Sequence, residues 1–268
     1  GGRIEVLSED LLVLNGKIET KGFKKDGGSL IVMSENALLS SHHNILDASG
    51  VKKGGSISSI AKNLNLASGT YNAKSSAGFG GRIDISASYV NTDRAKINAF
   101  GRTMGGKVRV GGEYLGGKLL PSTPKKIADG FVGRFGNQNI IKNANHTIVG
   151  NNSEIVVSSS HGKGGSVVVW SDEITDFSGI INANGVNSGN LNKKITNAPF
   201  DYLETGGFVE ISSKNILRNL DLSNVNVQNG TLLLDPKNIT VDGSSGSGNL
   251  SSGLRAQVYP GYFNDNLS

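Results

Sequence analysis

The sequence predicts an all-β chain folded as a parallel β-helix, a solenoid of about 26 residues per three-strand coil, and three observations predict it. Gly-Gly pairs, each followed by an alternating apolar run, begin at Gly1, Gly27, Gly54, Gly80, Gly105, Gly164 and Gly206, in steps of 26, 27, 26, 25, 59 and 42 residues. Each unit carries three short apolar runs instead of one long one. No segment holds an i, i+3, i+4, i+7 stripe for three turns, so a helical repeat loses.

The first run of each unit is a strand by its period-two alternation: Ile4 and Val6, Leu30 and Val32, Ile83 and Ile85, Val108 and Val110, Val167 and Val169, Val209 and Ile211. The second precedes a glycine, as in Leu12–Gly16, Leu64–Gly69 and Ile174–Gly179, each closing 15 residues after the opening glycine. The third reads apolar, Asn or acidic, small, any, Gly or Ser. Its copies start at Ile18, Leu46, Tyr71, Ile97 and Ile181. A three-strand unit this short cannot bury its own apolar face. It must stack strand over strand on its neighbours, at ~4.8 Å per coil. Glycine at the corners is expected to supply positive φ, and Asn or Asp to bond locally there. Ile4, Leu30, Ile57, Ile83, Val108, Val167 and Val209 should then form one inward column.

The predicted coils are 1–26, 27–53, 54–79, 80–104, 105–163, 164–205, 206–229 and a remainder. Residues 1–242 read as shaft. Inserts near 111–150 and 186–205 should lie outside the rod, and 243–268 reads as a Gly/Ser-rich linker and the start of a following segment. Gly1 begins in mid-pattern with no amphipathic cap ahead of it. An uncapped coil exposes unpaired backbone, so end-to-end self-association or fraying over 1–26 is expected.

Composition removes whole classes of function. There is no Cys among 268 residues, hence no disulfide, thiolate zinc site, iron–sulfur cluster or Cys nucleophile. Glycine supplies 38 residues but proline only 5, which is neither collagen nor a Pro/Gly linker. No apolar run reaches the ~18 residues of a spanning helix. The net charge of +5 comes from scattered lysines without aromatic-rich basic motifs, which argues against a nucleic-acid partner.

Three stretches carry a family resemblance: GGSVVVWSDEITDFSGIINANG at 164–185, GGFVEISSK at 206–214 and GTLLLDPKNITV at 230–241, with GGKVRVGGEYLGG at 105–117 ahead of them. They resemble the signature of filamentous-haemagglutinin-like, high-molecular-weight adhesin-like exoproteins exported by two-partner secretion. Residues 1–104 match only as generic coils. The resemblance implies a right-handed shaft, export through an outer-membrane barrel transporter, and a place outside or on the surface of a Gram-negative cell. It also implies attachment to a glycan or protein on a host or neighbouring cell. The family's N-terminal secretion domain carries Asn-Pro-Asn motifs. None occurs here, so this piece reads as shaft downstream of that domain, with the transporter met by another region.

No residue is assigned to catalysis, and no cofactor or metal is expected. β-Helices also serve as polysaccharide-cleaving enzymes, the alternative reading here, and such enzymes need paired carboxylates on an outer face. The outward first-strand column keeps carboxylates out of adjacent coils; Asp84 instead faces Arg109, which predicts a surface ion pair of at most ~1 kcal/mol. A further alternative is the shaft of a contact-dependent toxin. Gly112–Lys118 has phosphate-loop spacing, but Leu119 stands where Ser or Thr must hold magnesium. His42, His43, His146 and His161 read as loop or corner residues. Six Asn-x-Ser/Thr sequons are what an Asn-, Ser- and Thr-rich chain gives by chance.

The candidate contacts for an anionic glycan are Lys24, Lys25, Lys52 and Lys53 on the corner before the glycine pairs, Lys125 and Lys126 in the first insert, and Trp170. The plainer reading of the lysines is a solvated edge. That of Trp170, outward by alternation from Val167 and Val169, is packing.

Overall fold

The computed structural model describes residues 1–117, 141–186, 205–235 and 255–258. Three parallel sheets run the length of one solenoid. The first has nine strands, among them Arg3–Ser8, Ser29–Ser34, Ser56–Ala61, Arg82–Ser86, Lys107–Val110, Ser166–Val169 and Phe208–Ile211. The second and third have seven each, beginning with Leu11–Leu14 and Lys17–Glu19. Among the described residues seven coils carry all three strands. The predicted remainder contributes Thr231–Leu234 and Arg255–Val258, which extend the first sheet in parallel.

The inward column forms as expected. Ile4 pairs with Leu30, Leu30 with Ile57, Ile57 with Ile83, Ile83 with Val108, Val108 with Val167, and Val167 with Val209. Leu232 continues it. From Leu30 onward every member is at most 2% exposed. Each such burial stabilises by about 1.5–3 kcal/mol. Tyr71 also lies inside, fully buried, its hydroxyl 3.1 Å from Ser40 Oγ. Burial pushes that phenol up to about 12.

The corners use two devices. At the end of the third strand Asp47, Asn72, Asn98 and Asn182 each accept the backbone N–H two residues on, at 2.9, 3.3, 2.9 and 3.2 Å. These Asx turns explain the Asn-or-acidic position of the third run. The next residue is small because a glycine pair passes over it. Gly55, Gly81, Gly106 and Gly207 donate their N–H to the carbonyls of Ala48, Ala73, Ala99 and Ala183 at 2.7–2.8 Å. A Cβ on Gly54 would collide with Ala73 O, and one on Gly80 with Ala99 O. The pairs are therefore glycine for close backbone approach. Positive φ, the expected reason, is found instead at Gly69 (84°) and Gly111 (82°). Most of both predicted inserts, 118–140 and 187–204, lies outside the described residues.

Candidate functional site

The outward side of the first sheet changes character along the rod. In the first three coils it is open: Arg3 and Glu5 are exposed, and Ser29, Ile31, Ser56 and Ser58 half-buried. From the fourth coil on most of it is buried, with Arg82 and Lys107 half-buried at its border. Asp84 and Arg109 are each 2% exposed, and Val168, Trp170, Phe208, Glu210 and Leu233 are buried too. After Val110 the chain leaves the coil, and Gly111–Gly117 folds back over these side chains. Tyr114, backed by Leu115, packs with Val168, Trp170, Phe208 and Leu233 in an apolar cluster separate from the interior core. The Tyr114 and Phe208 rings meet edge-on, centroids 5.4 Å apart.

Polar anchors hold this cover. Arg109 Nε donates to Asp84 Oδ1 at 2.7 Å and its Nη1 to Glu113; Arg82 Nε reaches Asp84 Oδ2 at 2.6 Å. Glu113 also accepts the Ile141 N–H at 2.9 Å, tying the two ends of the first insert together. Asn143 Oδ1 accepts the Glu113 N–H at 3.1 Å, while its Nδ2 donates to Gly116 O at 2.9 Å and Asp172 Oδ1 at 3.2 Å. The Trp170 indole N–H reaches the same Asp172 oxygen at 3.0 Å. Farther along, both Glu210 oxygens lie 3.2 Å from the Leu115 N–H. Leu115, Gly116 and Gly117 all take positive φ (50°, 64° and 76°), which turns the cover across the strands. Cβ atoms on Gly112 or Gly116 would run into the Trp170 ring.

The Asp84–Arg109 contact is thus a correction to the sequence reading. The two residues face each other across one coil as expected, but the pair is buried beneath the cover, because residues 111–117 fold onto it. Burial pulls the Arg109 guanidinium down, yet Asp84 and Glu113 outweigh it and hold it above its usual value. Glu210 has no such help: burial raises its carboxyl well above the ordinary range, and Asp235 adds to this. Burial also lifts Asp235, to about 6. A glycoside hydrolase needs two carboxylates flanking an open cleft. Asp84, Glu113, Glu210 and Asp235 are each at most 4% exposed, so among the described residues these carboxyls do not flank an open cleft.

Of the candidate contacts, Lys24, Lys25, Lys52 and Lys53 are exposed on the corner joining the third and first sheets. They do not form an unbroken basic ridge: Lys53 pairs with Phe79 and Phe79 with Met104, two exposed apolar side chains, before Lys163 follows. Trp170 is 1% exposed and closed off by Gly112 and Gly116, so it is a packing residue and presents no ring to a sugar. Lys125 and Lys126 lie outside the described residues. His146 sits on a strand, 3.1 Å from Glu173 Oε2. The cover itself was missed by sequence reasoning. Its signal was the Gly112-x-x-x-Gly116-Gly117 spacing, read only as a failed phosphate loop, together with Trp170 and Glu210 at outward positions.

No protein-family model matches the sequence, and no curated protein is significantly similar to it. Among solved structures, the crystal structure of the HMW1 secretion domain from Haemophilus influenzae matches with a TM-score of 0.59 and 28% identity, covering 84% of this chain and 49% of that one. This chain therefore spans about half the length of the structure it matches. In fold and in sequence, the chain is similar to a two-partner-secretion exoprotein of the filamentous-haemagglutinin-like group.

Proposed function

We propose that this chain is a structural and adhesive shaft segment of a large secreted exoprotein on the surface of a Gram-negative bacterium, working in attachment. The likeness to the HMW1 secretion domain is the observation that carries this reading. The seven-coil rod, whose carboxylates near the cover are sealed or ion-paired, suits a spacer better than a catalyst. The same likeness supports export through an outer-membrane barrel partner. The test is adhesion of beads coated with the purified chain to cell monolayers, against albumin-coated beads. Adhesion above the albumin background supports attachment. Background adhesion removes it, and release of new reducing ends from polysaccharide by the chain would favour the enzyme alternative.

A further inference from the structure

The outward face of the third sheet is mostly polar, broken by Ile45, Val156 and Ile180, and its polar groups are used differently along the rod. In the first two coils they satisfy one another: Lys17 and Lys21 reach Glu19 at 3.0 and 2.6 Å, and Lys21 reaches Asp47 at 3.2 Å. Asn72 Nδ2 closes this set on Asp47 Oδ2 at 3.1 Å. One coil farther the pattern stops. A shallow groove of about 230 Å³ crosses coils three to five, lined by Thr70, Asn72, Lys74, Lys96, Asn98 and Glu154, with Val156 at its end. Lys96 stands directly opposite Glu154 in the ladder, yet among the described residues neither forms an ion pair. Lys74 Nζ, the Thr70 hydroxyl and the Asn98 amide nitrogen likewise have no partner there. The Asx turn to the Phe100 N–H uses the Asn98 carbonyl oxygen and fixes the amide plane, leaving the NH₂ free to donate.

We infer that this groove binds a carboxylate-bearing sugar of an acidic glycan, which deepens the attachment reading and rests on it. Lys74 and Lys96 are the cations for the sugar carboxylate. Asn98 and Thr70 donate to ring and hydroxyl oxygens, Glu154 accepts from sugar hydroxyls, and Val156 meets a C–H face. The space falls below the ~300–1,000 Å³ of enclosed ligand pockets, which suits one ring of a longer saccharide laid along the rod. Binding per ring is weak, with dissociation constants of order 1 mM, and repetition along a surface full of such rods supplies avidity.

The experiment titrates the isotope-labelled 268-residue chain with a tetrasaccharide of alternating glucuronate and N-acetylglucosamine, and separately with neutral tetra-N-acetylglucosamine, while recording backbone amide shifts. The acidic probe should move amides of residues 70–74, 96–98 and 154–156. Lys74→Ala with Lys96→Ala should weaken it about tenfold or more, the loss of roughly one charge-assisted contact, and Lys96→Arg should retain binding. These side chains are exposed or half-buried, so the far-ultraviolet spectrum should not change. Shifts confined to other coils, equal response to the neutral probe, no response at all, or binding indifferent to the lysine substitutions would each overturn the inference. Beads that still adhere with both lysines replaced would sink this site while leaving the attachment reading intact.

Discussion

Asp84 and Arg109 stack one coil apart, joined at 2.7 Å, on the outside of a β-solenoid that nevertheless hides both from solvent. A buried ion pair of this kind differs in consequence from an exposed one. Arg109→Met should strip the buried Glu113 of the cation it touches and leave Asp84 with Arg82 alone, at a cost of about 3 kcal/mol or more. Arg3→Met, which breaks the exposed pair with Glu5, should cost under ~1 kcal/mol. Denaturant unfolding of the two variants compares them directly, and equal losses would mean that solvent reaches the Asp84 pair.

The Trp170 ring offers an optical test of the cover. Gly116 sits against it at φ 64°. Gly116→Ala adds both a collision and left-handed strain, of order 1–3 kcal/mol. Trp170 is the only tryptophan of the chain, so its emission should shift to the red as the cover lifts. Gly2→Ala, whose Cβ would meet nothing within 4 Å, should leave emission unchanged. Unshifted emission in Gly116→Ala would show that the cover yields locally without opening.

Glu210 makes stability depend on pH in a defined direction. Its carboxyl and that of Asp235 are raised in the folded state, so the folded chain holds protons more tightly than the unfolded one. Their contribution is complete below the unfolded carboxyl values of about 4. It is lost as pH rises through the folded ones, about 6 for Asp235 and higher than usual for Glu210. Glu210→Gln keeps an acceptor for the Leu115 N–H without the charge. It should therefore raise the melting temperature more at pH 8 than at pH 5. The same gain at both pH values would show that Glu210 is not raised.

The corner glycines can be separated by substitution. Gly54→Ala drives a methyl group into the Ala73 carbonyl and should cost several kcal/mol, of order 3 or more. Gly16→Ala meets open space and should be neutral or stabilising by up to ~1 kcal/mol. Hydrogen exchange at residues 53–56 reads the local damage. Equal protection in both variants would refute close approach as the reason for the pair.

How much of this was legible in the sequence divides by distance along the chain. Coil length, strand order and the inward column follow from a period near 26, because each residue's partner is its own counterpart one repeat away. Arg109 and Asp84 were matched for that reason. Their burial was not legible, since it depends on residues 111–117 leaving the repeat and returning over it, and a departure from periodicity carries no register of its own. Trp170 was placed on the correct side by alternation, but what lies above it is set by Gly112 and Gly116. The corner glycines were located correctly; positive φ is the reason at Gly69, but close approach is the reason at the Gly-Gly pairs. Close approach and positive φ leave the same letter in the sequence.

The Glu210–Leu115 bond also orders events in time. Ladder bonds within the uninterrupted coils join residues about one repeat apart, whereas this bond closes a separation of 95 residues. Low contact order favours rapid, sequential growth, and a lone long-range closure must wait for its partner. A chain assembling from its N-terminus would finish four coils unaided, give Tyr114 its first partners, Val168 and Trp170, only in the sixth coil, and satisfy the Leu115 N–H only when Glu210 arrives in the seventh. The segment that looks like decoration on the rod is then its last step of maturation, and a chain stalled before the seventh coil would be recognisable by a wet Trp170.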